Sequence, residues 1–256
     1  MRLALPPFAA LALGLSVGAP AAAETVNCTP VTSVPVTITT SGPHCLTDNL
    51  TFHGQSGSAI TIQANRVVLD LNGHTLQGPA VGQAIGVHVS SASDAIVRNG
   101  HMSGFYIGVF SANTALFTTV EDLRIDVLGN AAGIDSRAQG DVIRRNFVRF
   151  GSPGIKAMGL EPRILDNDVL LAAGHGIDVS GNTSFVEGNR VTRGGSASGM
   201  AGIRVASNLA SVVVRNRVFG FPTCYQMANS SAKYRENLAT GCAVTYSGGS
   251  NVGENY

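Results

Sequence analysis

A short β-branched phrase closed by asparagine returns along this chain at a spacing that no helical period explains. It reads Val68-Leu69-Asp70-Leu71-Asn72, Ile96-Val97-Arg98-Asn99, Ile143-Arg144-Arg145-Asn146, Ile164-Leu165-Asp166-Asn167, Phe185-Val186-Glu187-Gly188-Asn189, Val213-Val214-Arg215-Asn216 and Tyr234-Arg235-Glu236-Asn237. The asparagines stand 27, 47, 21, 22, 27 and 21 residues apart, and the 47 divides in two when Leu123 is taken as the occupant of a slot. A second phrase runs out of phase with the first: Gly86-Val87-His88-Val89, Gly108-Val109-Phe110-Ser111, Gly133-Ile134-Asp135-Ser136, Gly154-Ile155-Lys156-Ala157, Gly176-Ile177-Asp178-Val179 and Gly202-Ile203-Arg204-Val205. Cys224-Tyr225-Gln226-Met227 continues it with Cys in the Gly slot. Each phrase alternates as a half-buried strand does.

One such repeat cannot bury its own apolar face, so repeats must stack and share an interior. The expected fold is all-β, a parallel β-helix (a solenoid) of about 8 coils. The coils run over residues 61–245, with an N-terminal cover over 24–60 and a loose tail over 246–256, in a single domain. Asparagines stacked about 4.8 Å apart at a bend can bond one another and the turn backbone. Composition agrees: 31 Gly and 10 Pro supply the turns. Charged residues make up 13% and the net charge is +1, which lacks the basic footprint of a nucleic-acid binder.

The first 23 residues read as a signal peptide: Arg2 supplies a positive charge, Leu3 to Val17 is apolar, and Ala21-Ala22-Ala23 fits a cleavage site before Glu24. The mature chain, residues 24–256, is then exported to the periplasm or beyond, without membrane insertion, and is expected to be a monomer. Export makes Cys28, Cys45, Cys224 and Cys242 readable as disulfide partners. Two local bridges are expected, although three pairings are formally open. No Cys/His spacing suits a metal, and no metal site is expected.

The stretch Val67-Val68-Leu69-Asp70-Leu71-Asn72-Gly73-His74-Thr75-Leu76-Gln77-Gly78, followed by the Gly-Ile-x-Val coils, resembles exported bacterial right-handed parallel β-helix repeat proteins related to the pectate-lyase-like superfamily. The resemblance covers about residues 28–245. It implies a polysaccharide partner and leaves the activity open, because that superfamily includes lyases, hydrolases, epimerases and proteins with no known reaction.

If Ile and Val of each second phrase point inward, the residue between them points out. Those positions are His88, Phe110, Asp135, Lys156, Asp178, Arg204 and Gln226, one per coil on a single face. In a chain so poor in charge, this column is the expected concentration of chemistry. The leading glycines are expected to leave its backbone open to a ligand. Elimination or epimerisation of a uronate needs a base and a cation beside the developing charge. Lys156 is the candidate base and Arg204 the carboxylate partner, with Asp135 and Asp178 flanking them. His88, Tyr106, Phe110 and Gln226 are candidate substrate contacts. No cofactor is expected, with calcium on the two aspartates as the alternative.

A hydrolase reading rests on Gly174-His175-Gly176, which matches the Gly-His-Gly element of polygalacturonase-like enzymes and makes His175 a catalytic candidate. In that comparison Asn130 to Asp135 stands in for an Asn-Thr-Asp-Gly element with Ala132 at the acid position. Ser152-Pro153-Gly154 replaces the paired aspartates, and Gly202-Ile203-Arg204 loosely resembles Arg-Ile-Lys. The alternative to any enzyme is a non-catalytic glycan-binding or cell-envelope protein. An alternating −, +, −, + column also suits purely structural ion pairing.

Overall fold

A computed structural model describes residues 27–128, 131–195, 199–207 and 209–256. The expected signal peptide and its cleavage site, and Asn130 of the polygalacturonase-like element, lie outside these residues. Among the described residues no helix occurs and every paired strand is parallel to its neighbours. The strands wind into a parallel β-solenoid of about 9 turns, close to the 8 coils expected.

A central coil shows the plan. Strand Ile134–Ser136 belongs to a ten-stranded sheet; the chain then turns into Val142–Arg144 and, after a corner at Arg145-Asn146, Phe147–Arg149, both in an eighteen-stranded sheet. It then returns to the ten-stranded sheet at Ile155–Ala157, one register below. Three inward columns fill the space between these walls. Ile134, Ile155, Ile177 and Ile203 stack from the ten-stranded sheet, Ile143, Ile164, Val186 and Val213 from the first half of the other sheet, and Val148, Val169, Val191 and Val218 from its second half. All are essentially inaccessible to water. β-branched side chains repeat because each must pack on its own counterpart one coil away.

The asparagine ladder exists, with corrected membership. Asn146, Asn167, Asn189, Asn216 and Asn237 are buried. The side-chain oxygen of each accepts from the backbone N–H of the slot before it, from Leu123 N–H onto Asn146 through Asn216 N–H onto Asn237. Each amide nitrogen donates to the next asparagine's oxygen and to a carbonyl, as Asn189 does to Asn216 Oδ1 and Ile164 O. Leu123 occupies the slot facing Asn146, as the spacing required. Asn72 and Asn99 do not belong to it. They sit one position earlier, at the left-handed corner, with φ of 56° and 57°, in the place taken further on by Asp122, Arg145 and Asp166. Asparagine favours both situations, for different reasons: its amide suits a stacked ladder, and its short polar side chain tolerates positive φ.

Two other expectations change. Residues 29–51 pair in register with the coils that follow, Val36↔Ile60 and Cys45↔Asp70 among them, so the cover is built as further coil. The tail is not loose either: Val244–Ser247 and Ser250–Asn251 extend the two sheets, and Asn255 Oδ1 accepts from Asn237 N–H to close the ladder. Cys28–Cys45 and Cys224–Cys242 are the two disulfides, local as expected.

Candidate functional site

The outward column is in the expected register. His88, Phe110, Asp135, Lys156, Asp178, Arg204 and Gln226 are successive partners on neighbouring strands of the ten-stranded sheet. Adjacent coils are about 4.8 Å apart, so the column places a different functional group at each step.

The glycines at the phrase starts do not open this face. Gly133, Gly154, Gly176 and Gly202 are buried at the corner, each against the valine that faces it from the other sheet and the carbonyl of the next coil. They are there because the two walls approach too closely for a side chain, which corrects the expectation of ligand access.

The charges are paired differently from a continuous ladder. Asp178 holds Arg204 bidentately, at 2.7 Å from Nε and 2.8 Å from Nη2. Asp135 instead takes Arg137 from its own strand edge, at 3.2 Å from Nε and 2.8 Å from Nη2. Arg137 was not legible as a site residue, although its spacing from Asp135 puts the two on one face of an extended chain. It covers Asp135, only 4% exposed, and its guanidinium lies 5.0 Å from the centre of the Phe110 ring. His88 packs on the other side of Phe110 with ring centres 5.0 Å apart, and burial holds the His88 imidazole pKa below its usual value. Phe110 is therefore flanked by its neighbours.

Lys156 lies between these two carboxylate–arginine pairs, and its side chain has no ion pair or hydrogen bond among the described residues. It borders an open cleft of about 200 Å³ together with Tyr106, Asp135, Arg137, Ser152 and Pro153. Buried Ala131 and Ala132 form part of its wall, so the position compared with a catalytic acid carries only a methyl group. One coil on, His175 Nδ1 accepts from Ala201 N–H at 2.9 Å. That bond leaves the neutral ring's proton on Nε2. Burial, and secondarily the Arg204 charge, push the His175 pKa down. Gln226 is exposed at the far end of the column.

The structure thus brings Tyr106, Asp135 and Lys156 together with Arg137, and separately Asp178, Arg204 and His175. Asp135 and Asp178 are a poor fit for calcium, because each carboxylate is already bound by a guanidinium and they stand on coils two apart. Among the described residues no group of three or more His, Cys, Asp or Glu side chains gathers at one point.

The column is also not the only concentration of charge. Outside the eighteen-stranded sheet, Arg98 meets Asp70 at 3.0 Å, Arg144 meets Glu121 at 2.6 Å, Arg145 bridges Glu121 and Asp122, and Arg149 meets Asp126 at 2.5 Å. Asp70 is 2% exposed beneath Arg98 and Asn99. Alternating Asp70, Arg98, Glu121 and Arg144 along one register realises the structural ion-pair ladder on this sheet instead.

No known family profile matches the chain, and no curated protein matches it in sequence. Solved structures do match its fold. An alginate lyase from Paenibacillus sp. str. FPU-7 superposes with a TM-score of 0.60 at 12% identity, over 84% of this chain and 90% of that one. The Dettilon tailspike protein gives 0.59 at 13%, over 83% of this chain and 56% of its own. Pectate lyase Pel9A gives 0.54 at 13%, over 88% and 68%. The chain has a pectate-lyase-like parallel β-helix fold. It spans little more than half of the tailspike it matches.

Proposed function

We propose that this protein binds a carboxylate-bearing polysaccharide along the outward face of its ten-stranded sheet, centred on the cleft of Tyr106, Arg137 and Lys156. The observation that carries the reading is Lys156: it stands in a cleft without a partner, in a column whose carboxylates are both taken by arginine. An ammonium there meets a ligand carboxylate without first breaking an internal pair. Tyr106 offers a ring with a polar edge to a sugar face beside it. The alginate and pectate lyases named above support an acidic glycan, and a mutant tailspike of E. coli bacteriophage HK620 solved with a hexasaccharide, TM-score 0.56, supports a glycan partner. Two disulfides support an oxidising, exported setting.

The finer reading is uronate elimination or epimerisation, and it is favoured by Lys156 and Tyr106 sharing one cleft. Lys156 would take the proton next to the sugar carboxylate, and Arg137, which lines the same cleft and whose Nη1 is not used on Asp135, would face that carboxylate in place of the more distant Arg204. In elimination the electron pair forms a carbon–carbon double bond as the glycosidic oxygen leaves, protonated by Tyr106. We rank binding first because Arg204 and Arg137 each spend two donors on an internal carboxylate. Hydrolysis by Asp135 and Asp178 ranks last: two coils separate them by about 9–10 Å, at the wide limit for an inverting pair, and both are engaged by arginine.

Affinity electrophoresis through gels containing polygalacturonate, alginate or a neutral glucan tests the reading. The expected result is retardation by an acidic polymer only, weakened about tenfold or more in Lys156→Ala. Equal mobility in every gel overturns it. Release of unsaturated ends, followed by ultraviolet absorbance and abolished by Lys156→Ala, would replace binding with elimination.

A further inference from the structure

We infer that the outer face of the eighteen-stranded sheet carries a second, separate site for an acidic sugar, built from Arg217 and Tyr256 with Arg190 beside them. The inference rests on the ligand class proposed above but on different residues, on a different sheet.

Strand Arg190–Arg193 lies next to strand Arg217–Phe219, and their register sets Arg190 directly beside Arg217. Like charges directly opposite one another on adjacent strands repel. The surroundings relieve this only in part. Arg190 reaches Asp168 on its other side through one long contact of 3.4 Å. The Arg217 side chain has no ion pair or hydrogen bond among the described residues, and its neighbour on the far side is Leu238. The nearby Arg215 is paired with Glu187, and Glu236, the one acid lining the cleft, is drawn to Arg235 at 3.3 Å and makes no ion pair with Arg217. Elsewhere on this sheet arginines at comparable positions are neutralised within the column, as Arg144 is by Glu121 and Arg149 by Asp126. At the Arg190–Arg217 step that pattern leaves a cation without an acid, as it does at the exposed Arg163 of the same sheet, and here the cation stands in a cleft.

A cleft of about 350 Å³ lies at this place, lined by Arg215, Asn216, Arg217, Glu236, Leu238 and Tyr256. Tyr256 is 67% exposed, yet its backbone is held on both sides: its N–H donates to Asn237 O and its carbonyl accepts from Ala239 N–H, each at 2.7 Å. Its hydroxyl donates to Glu254 Oε2 at 2.9 Å, fixing the ring's outer edge. An exposed aromatic ring held this way, next to an aliphatic side chain and an unpaired guanidinium, has the three elements an acidic sugar requires. The ring stacks on a sugar face, Leu238 meets its C–H surface, and Arg217 forks to the carboxylate. Each group already stands in place, which limits the ordering cost of binding.

The two sites make the protein bivalent for one acidic polymer. The probe is a galacturonate trimer titrated by calorimetry, with polygalacturonate turbidity as a second readout. The wild type is expected to bind two trimers and to cloud the polymer by cross-linking. Arg217→Ala and Tyr256→Ala are each expected to weaken one of the two sites about tenfold or more and to abolish the turbidity, while Lys156→Ala removes the other site. Arg163→Ala, an exposed arginine on the same sheet outside the cleft, serves as the control and is expected to change neither readout. One trimer bound by the wild type and lost in Lys156→Ala but not in Arg217→Ala overturns this second site and leaves the first intact. The converse pattern overturns the first and leaves this one. No binding of trimer or polymer by the wild type overturns both. Unchanged melting temperatures in Arg217→Ala and Tyr256→Ala exclude loss of fold as the cause.

Discussion

Individual residues in this solenoid are judged by whether their polar atoms find partners, since each side chain is repeated or answered one coil away. The ladder asparagines illustrate a full answer. Asn189 accepts from the backbone and the amide of Asn167 and donates to Asn216 and a carbonyl, so its burial leaves nothing unpaired. Asp141 is the opposite case. It is a buried carboxylate inside the coil that accepts from Ser136 Oγ at 2.6 Å and Thr118 N–H at 2.9 Å, with no cation beside it. Burial pushes its pKa above the usual carboxylate value. The folded state therefore holds this proton to a higher pH than the unfolded chain does. Its favourable contribution is present below the unfolded pKa and is lost as pH rises through the folded one. We expect Asp141→Asn to be more stable than the parent at pH 7 and the difference to shrink towards acid. Urea midpoints measured across pH check this, and a variant less stable at pH 7 contradicts it.

At the scale of elements, the glycines that open the ten-stranded sheet's strands set how closely its two walls pack. A Cβ on Gly176 would collide with a Val191 methyl and lie 2.6 Å from the Gly202 carbonyl. Relief would require moving a backbone that is itself paired on both sides. Gly176→Ala is expected to cost about 1–3 kcal/mol, as overpacking of a tight interior does. The shift of the denaturation midpoint measures it, and a neutral effect would show that the corner yields easily. Cys224 holds the corresponding position next to Gly202 and is tied to Cys242, so the pattern changes where the stack ends.

The molecule presents two long faces of different electrostatic character around one largely apolar interior. The ten-stranded sheet carries few charges and leaves Lys156 unpaired; the eighteen-stranded sheet carries many and leaves Arg217 unpaired. Lys156 is half-buried and Arg217 exposed, where salt screens them. Binding of an acidic polymer is therefore expected to weaken steeply as ionic strength rises from about 0.01 M to about 0.15 M, over which the Debye length falls from about 30 to about 8 Å. Retardation in gels of graded salt checks it, and a salt-independent shift would place the affinity on apolar contacts instead.

The sequence by itself determined the coil: the repeat length, the inward and outward alternation, the register of His88 through Gln226, and Leu123 as the stand-in for asparagine. Those features are local, because a parallel stack repeats each residue's surroundings at every turn. The local disulfides follow from the same geometry, since a solenoid keeps its two ends apart. Only the tertiary structure decided which charges meet. Asp135 had Lys156 and Arg137 within reach and took Arg137, whose forked guanidinium matches a carboxylate from the same strand face. Asn72 and Asn99 left the ladder because a corner with positive φ competes for the same residue type. Arg190 and Arg217 lie 27 residues apart in the chain, and only the winding of one coil sets them side by side.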